Sequence, residues 1–349
     1  MQANKLLYIE FLRVVCIVAV IANHIPLAAV NTFAATASVA DNVFCHACSW
    51  MNHFAVPIFV MITGTLLLDS RKEISLWKAL SKYAWRIVVM LLTVGYGFAL
   101  LEQYANEHII SLSLFGNALY NVLAGKGWDH MWYLYMLIGI YLLIPFLKPA
   151  INTLPLRSIG GLIAIIFLFS SINPVLNALW GYSIPIRFPI LSIYVLFLLA
   201  GWYIAQLKHS SVPKYAPWIA IVIALGAVVV LGACSYCKYA MALDKAAIWS
   251  DYSSPLVVLL SAVIFYICYI WQDKFHWVAD SKIMSILAKD SFGIYLFHML
   301  YVNILYKVIH FNPLEYGYWS FVIILVVVLI LSLVTTELFR KIPVIGKYI

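Results

Sequence analysis

Ten apolar runs, each close to the length needed to cross a bilayer core, leave this chain little choice of fold. They lie near 8–29, 46–68, 82–104, 129–147, 157–173, 189–207, 216–235, 255–271, 290–310 and 318–339. A membrane-spanning helix needs roughly 20 apolar residues, so ten of them take up most of the 349 positions. Only 10% of residues are charged and 65% are hydrophobic, against about 25% charged in soluble domains. The expectation is an all-α integral membrane protein of about ten transmembrane helices. It forms one polytopic domain over 1–349, with no room for a separate soluble catalytic domain.

The distribution of charge predicts the orientation. With the N-terminus in the cytoplasm, sixteen of the 22 Lys and Arg residues fall on inner segments, five on outer ones, and Arg13 within the first span. Cytoplasmic loops concentrate basic residues, which predicts both termini inside. The same rule accounts for the net charge of +8 without a nucleic-acid partner. The first apolar run is too long for a cleavable signal and lacks a small-residue cleavage site. No 20–50-residue repeat is present. The long outer segment 105–128 contains "SLFGNALYNVLAG", a short helix suited to the membrane interface.

The first span, "YIEFLRVVCIVAVIANHIPLAAV", carries ionisable residues at membrane depth. At about 100° per residue, His24 returns to within about 20° of Arg13, roughly 16 Å further along the axis. Glu10 precedes Arg13 by one turn on the same side. A charge at that depth costs at least a few kcal/mol on insertion scales, so such residues face the bundle interior and mark a functional path. The bland reading is a Glu10–Arg13 pair with a hydrogen-bonded core histidine. Pro26 predicts a kink or a frayed end that frees backbone groups beside the imidazole.

Other polar residues fit the same path. Lys82 and Arg86 open the third span one turn apart, with Arg71, Lys72 and Lys78 just before them. Such a cluster serves either as a positive-inside anchor or as a site for a polyphosphate ligand. Asp129 and His130 stand at the outer mouth of the fourth span, with Asp129 as a candidate cap. Trp128 and Trp132 there suit either an aromatic belt or stacking on sugar rings. In "KDSFGIYLFH" Asp290 or Ser291 caps the ninth span, Gly293 permits close helix approach, and His298 lies inside. "CHAC" and "CSYC" lack further ligand spacing for a metal. They read as buried thiols, with a disulfide open to them on an oxidising face. No Walker loop, Gly-x-Gly-x-x-Gly or Gly-x-Ser-x-Gly is present.

Four motifs in order, "YIEFLRVVCIVAVIANH", "VPIFVMITGTLLL", "HMWYLYMLIGIYLLIPFL" and "SFGIYLFH", resemble those of the membrane acyltransferase 3 family. The likeness is greatest to stand-alone members of the enterobacterial common antigen and surface-polysaccharide type. It implies O-acetyl transfer from cytoplasmic acetyl-CoA, through a protein of the bacterial inner membrane, to a hydroxyl of a cell-surface or lipid-linked glycan. No permanently bound cofactor and no metal is implied; acetyl-CoA is a substrate. From the family's motifs the resemblance carries over Arg13, His24, His130, Trp132 and His298; His24 is expected to act as general base, with Glu10, Arg13 and His130 beside it. From the placement of charge and aromatics, Arg13, Lys82, Arg86, Arg71, Lys72 and His298 are expected at acyl-CoA and Asn23, Trp132 and Trp128 at the acceptor, with Asn23, His130 or backbone freed near Pro26 as candidate oxyanion donors. Where many members have Arg-x-x-Arg in the third span, this chain has Tyr83 three residues before Arg86. Lys82 alongside it exchanges a bidentate fork for a point charge. Two other classes use similar residues: a proton-coupled exporter with a buried His/Arg relay, and a sensor that binds acyl-CoA without turnover.

Overall fold

A computed structural model describes residues 6–69, 73–182, 184, 192–208, 212–343 and 345–349. Among them there is no strand, and nine helices are long and apolar enough to cross a membrane. The helices in chain order are α1 (Leu7–Thr32), α2 (Val39–Met51), α3 (Ala55–Leu67) and α4 (Leu76–Glu107). There follow α5 (Leu112–Leu123), α6 (Asp129–Thr153), α7 (Leu156–Trp180) and α8 (Ile193–Ala205). The last four are α9 (Ala216–Tyr239), α10 (Pro255–Ile270), α11 (Lys282–Val308) and α12 (Ser320–Arg340). The spans expected from the sequence all have a helical counterpart. The sixth is the shortest, a 13-residue apolar helix, and residues 189–191 at its expected start lie outside the described ones. The outer segment forms α5, where Ser111 Oγ accepts from Leu114 N at 3.3 Å.

α1 is the most enclosed of the long helices: 61% of its apolar window is buried inside the bundle, against 28% for α12. It runs through Pro26 to Thr32 without ending there, so the frayed terminus expected at the proline is not formed. Neighbouring helices supply the packing that lets a proline stay inside a membrane helix. The second span instead breaks in the middle, between α2 and α3. Ser38 closes the start of α2 with a capping box to Asp41.

Close helix crossings need residues without side chains. A Cβ at Gly64 on α3 would overlap the Leu198 carbonyl of α8, and one at Gly201 would overlap the Met61 carbonyl in return. Thr65 Oγ1 donates to Gly201 O at 2.9 Å across the same crossing. Backbone approach of this kind replaces the hydrophobic drive that lipid removes. Gly293 serves α11 in the same way, since its Cβ would meet the Thr336 side chain on α12.

Two ionisable groups hold the N-terminal end of the bundle. Lys148 is buried on α6, and its Nζ donates to the carbonyls of Leu67, at 3.1 Å, and Asp69. A cation there satisfies the last carbonyls of α3 and complements its dipole. Asp290 departs from expectation. α11 begins eight residues earlier, at Lys282, under a Ser281 cap, and Asp290 is buried mid-helix in an ion pair with Arg340 of α12. Arg340 also reaches Glu337 at 2.6 Å. A local cap rule misplaced the start because "SKIMSILAK" is polar enough to pass for a loop. All six cysteines are free thiols.

Replacing Gly64 by Leu is expected to lower the unfolding temperature in detergent, because overpacking costs about 1–3 kcal/mol and here the obstacle is backbone. Gly97→Ala, with open space at its Cβ, should leave it unchanged or raise it slightly. Differential scanning of the purified variants makes the comparison.

Candidate active site

Of the cavities that α1 helps to wall, two take in Arg13 and His24. The inner one, nearer the N-terminal end of α1, has a volume of about 180 Å³. Arg13, Arg86 and Lys289 bring three cations to it, and Tyr133, Tyr141 and Tyr295 line it with them. The second opens towards the opposite end, with a volume of about 290 Å³. His24, His130 and Trp128 line it, with Glu102, Asp129 and Lys307 among its polar groups.

The cations of the inner cavity are not equivalent. Arg13 has no ion pair or hydrogen bond among the described residues, and the pair with Glu10 is not formed there. Glu10 is not free, stands near enough to act on the Arg13 charge, and lines neither cavity. Arg86 is held in place from two sides. Its Nε donates to Tyr348 O at 2.6 Å and its Nη2 to Ile349 O at 3.1 Å. The guanidinium also lies over the Phe292 ring at 4.7 Å. It sits on α4 between two π-helical turns, Ala79–Ala84 and Leu91–Gly95, a deformation that often accompanies functional sites. Lys82 is exposed near the Tyr83 ring and outside the cavity lining. Arg71 and Lys72 lie outside the described residues. Lys289 occupies the cavity wall that the sequence reading assigned to Lys82.

Between the cavities stands a septum of rings. His24 and His298 have centroids 5.1 Å apart, and His298 and His130 5.2 Å. Tyr295, one helical turn before His298, lines the inner cavity while its hydroxyl donates to the His130 carbonyl. Tyr133 packs edge-on to Tyr295 at 5.2 Å. His298 lines neither cavity and is fully buried at the centre. The septum therefore joins a cationic chamber to an imidazole-lined one.

Three expected acceptor residues fall in different places. Trp128 lines the second cavity, stacked on Phe98 at 4.3 Å and 7°. Trp132 turns away into a cluster with Tyr194 and Tyr252. Asn23 faces α2 and lines neither cavity; its Oδ1 accepts from Ser49 Oγ at 2.5 Å. Ser49 Oγ lies 3.5 Å from His53 Nε2, and His53 Nδ1 lies 2.5 Å from Ser250 O. Asn23 thus ties α1 to the last turn of α2, just before the break, instead of facing the chamber as an oxyanion donor. Asp129 makes no capping hydrogen bond.

Tyr295, Lys289, Tyr133, Tyr141 and His53 were missed from the sequence. Tyr295 had a signal, since spacing of three puts it on the face of His298. Lys289 counted only as an anchor. His53 sits at a break inside an apolar run, where pattern reading assumed a continuous helix.

A multi-helix membrane protein with polar chambers meeting at a buried histidine cluster is the class that these features define. A family model described as an acyltransferase domain matches residues 6–337, and the chain belongs to this acyltransferase 3 family. No curated protein and no solved structure matches it. It is a multi-pass membrane acyltransferase, with an acyl donor and an acceptor as its substrates.

The Asn23–Ser49 hydrogen bond is expected to contribute through a double-mutant cycle. Asn23→Ala and Ser49→Ala together should show a coupling of about 0.5–1.7 kcal/mol, the range for interhelical hydrogen bonds in membranes. Equilibrium unfolding of the four proteins measures it.

Proposed function

We propose that the chain transfers an acetyl group from cytoplasmic acetyl-CoA through the helix bundle to a hydroxyl of a cell-surface or lipid-linked glycan. The observation that carries this reading is the His24–His298–His130 cluster, which separates the cationic cavity from the chamber at the other end. With both termini cytoplasmic, Arg13, Arg86 and Lys289 face the side on which acetyl-CoA is made, and guanidinium groups suit its phosphates. The glycan enters from the opposite chamber, where Trp128 offers a ring face. Glu102, Asp129, Asn303 and Lys307 offer partners for sugar hydroxyls.

His24 acts as the general base. It removes the proton from the acceptor hydroxyl as the oxygen attacks the thioester carbonyl. The tetrahedral intermediate collapses with cleavage of the C–S bond, and the proton passes from His24 to the departing sulfur of CoA. Donors for the oxyanion come from the chamber wall, with Lys307 and Asn303 at hand; Asn23 is occupied by Ser49. Direct transfer is the simplest course, because His24 lines the acceptor chamber itself.

Labelled acetyl-CoA and endogenous glycan in inverted membrane vesicles test the reading. His24→Ala should lower acetyl transfer by about 10²–10⁴-fold, the usual contribution of a positioned base. Equal labelling in the mutant would remove His24 from the chemistry, and solute flux coupled to a proton gradient without CoA release would mean an exporter. A second comparison separates the cations. Arg13→Gln should raise KM for acetyl-CoA by about 10–100-fold, in line with loss of a charged hydrogen bond worth about 1.5–3 kcal/mol. Lys82→Gln, outside the cavity, should leave it nearly unchanged.

A further inference from the structure

One nitrogen at the centre of the histidine cluster has no partner among the described residues: His298 Nε2 is buried without a hydrogen bond. The other nitrogen of that ring is committed. Nδ1 lies 2.7 Å from the Tyr295 carbonyl, which can only accept, so in the neutral ring Nδ1 carries the hydrogen and Nε2 is a bare lone pair. His130 directs its Nε2 at the Leu296 carbonyl, 3.4 Å away. Both rings thus turn a hydrogen towards the backbone of α11. The ring of His24 is 5.1 Å from that of His298, tilted by 43°, whereas His130 meets this pair through His298 at 5.2 Å. A bare buried acceptor is costly to maintain, and each such group in a native structure calls for a reason.

We propose that His298 is the residue that orients the base: its bare Nε2 accepts the N–H of His24 and so leaves the other His24 nitrogen free for the acceptor hydroxyl. The inference rests on the transferase reading with His24 as base. It also replaces the expectation that His298 contacts acyl-CoA, since His298 lines neither cavity. A base held by a third group in the correct tautomer is the general logic of catalytic triads, and losing that group costs up to about 10⁴-fold in rate. His298 gains and loses no proton in the cycle. The acceptor proton moves to His24 and on to the sulfur of CoA, while His298 holds the remaining N–H of the imidazolium. Closing this bond takes a rotation of the tilted His24 ring. Tyr295 completes the arrangement by fixing His298 through its carbonyl and the His130 backbone through its hydroxyl.

The test uses the full chain in nanodiscs with His298→Ala, His298→Asn and His298→Gln. Glutamine places an acceptor oxygen near the position of Nε2; asparagine restores only the Nδ1 side. His298→Ala and His298→Asn should lose about 10²-fold or more in kcat, with KM for acetyl-CoA within about 3-fold, and His298→Gln should recover most of the loss. Histidine ¹⁵N spectra give a readout independent of turnover: His24 should show one tautomer in the wild type and a mixture in His298→Ala. A raised KM for acetyl-CoA at unchanged kcat would return His298 to the donor site and overturn the proposal. Mixed His24 tautomers in the wild type would overturn it as well. If His298→Ala does not fold, equal activity of the asparagine and glutamine variants would be the contrary result. If His24→Ala transfers normally, the assignment of the base fails, while the tautomer measurement still decides the role of His298.

Discussion

A guanidinium and an imidazole on one apolar helix oblige the rest of the chain to surround that helix. Hydrocarbon offers neither group a hydrogen bond, and exposure there costs several kcal/mol. α1 is accordingly the most enclosed long helix, and both cavities are built against it. Arg13 is left facing an open chamber, with no ion pair among the described residues. His24 faces the second chamber and two further imidazoles. The architecture follows from where these two residues are allowed to be.

Two other buried ionisable groups are held by partners away from both chambers. Lys148 closes the C-terminal end of α3, and Asp290 joins α11 to α12 through Arg340. Such pairs add little net stability over apolar packing, but removing one partner strands a buried charge. They set the axial position of α11 against α12, and with it the depth of Tyr295 and His298. The glycine crossings do the same for α3 and α8, where backbones meet without side chains between them. Glycine contacts and buried pairs fix the helices, and Arg13 and His24 face the chambers.

The result is a bundle with two chambers divided by rings. A cationic chamber and a mixed, aromatic one are thereby kept apart. Tyr295 belongs to both chambers, through its ring on one side and its hydrogen bond to the His130 backbone on the other.

Sequence alone determined the spans, the all-α membrane class, the family resemblance and the stripe of Arg13 and His24, because apolar length and helical periodicity are local quantities. It also singled out His130 and His298 as polar residues at membrane depth. Which of these residues meet was decided only by tertiary structure. Lys82 and Arg86 share a helix, yet only Arg86 reaches the cavity, and Lys289 arrives there from a helix about two hundred positions away. Asn23 lies one residue from His24 but faces another neighbour, since adjacent positions on a helix differ by about 100°. Asp290 looked like a cap because its partner, Arg340, is on another helix. A single chain pattern records depth and helix face; the pairing of faces depends on how the helices pack, and that is a property of the whole bundle.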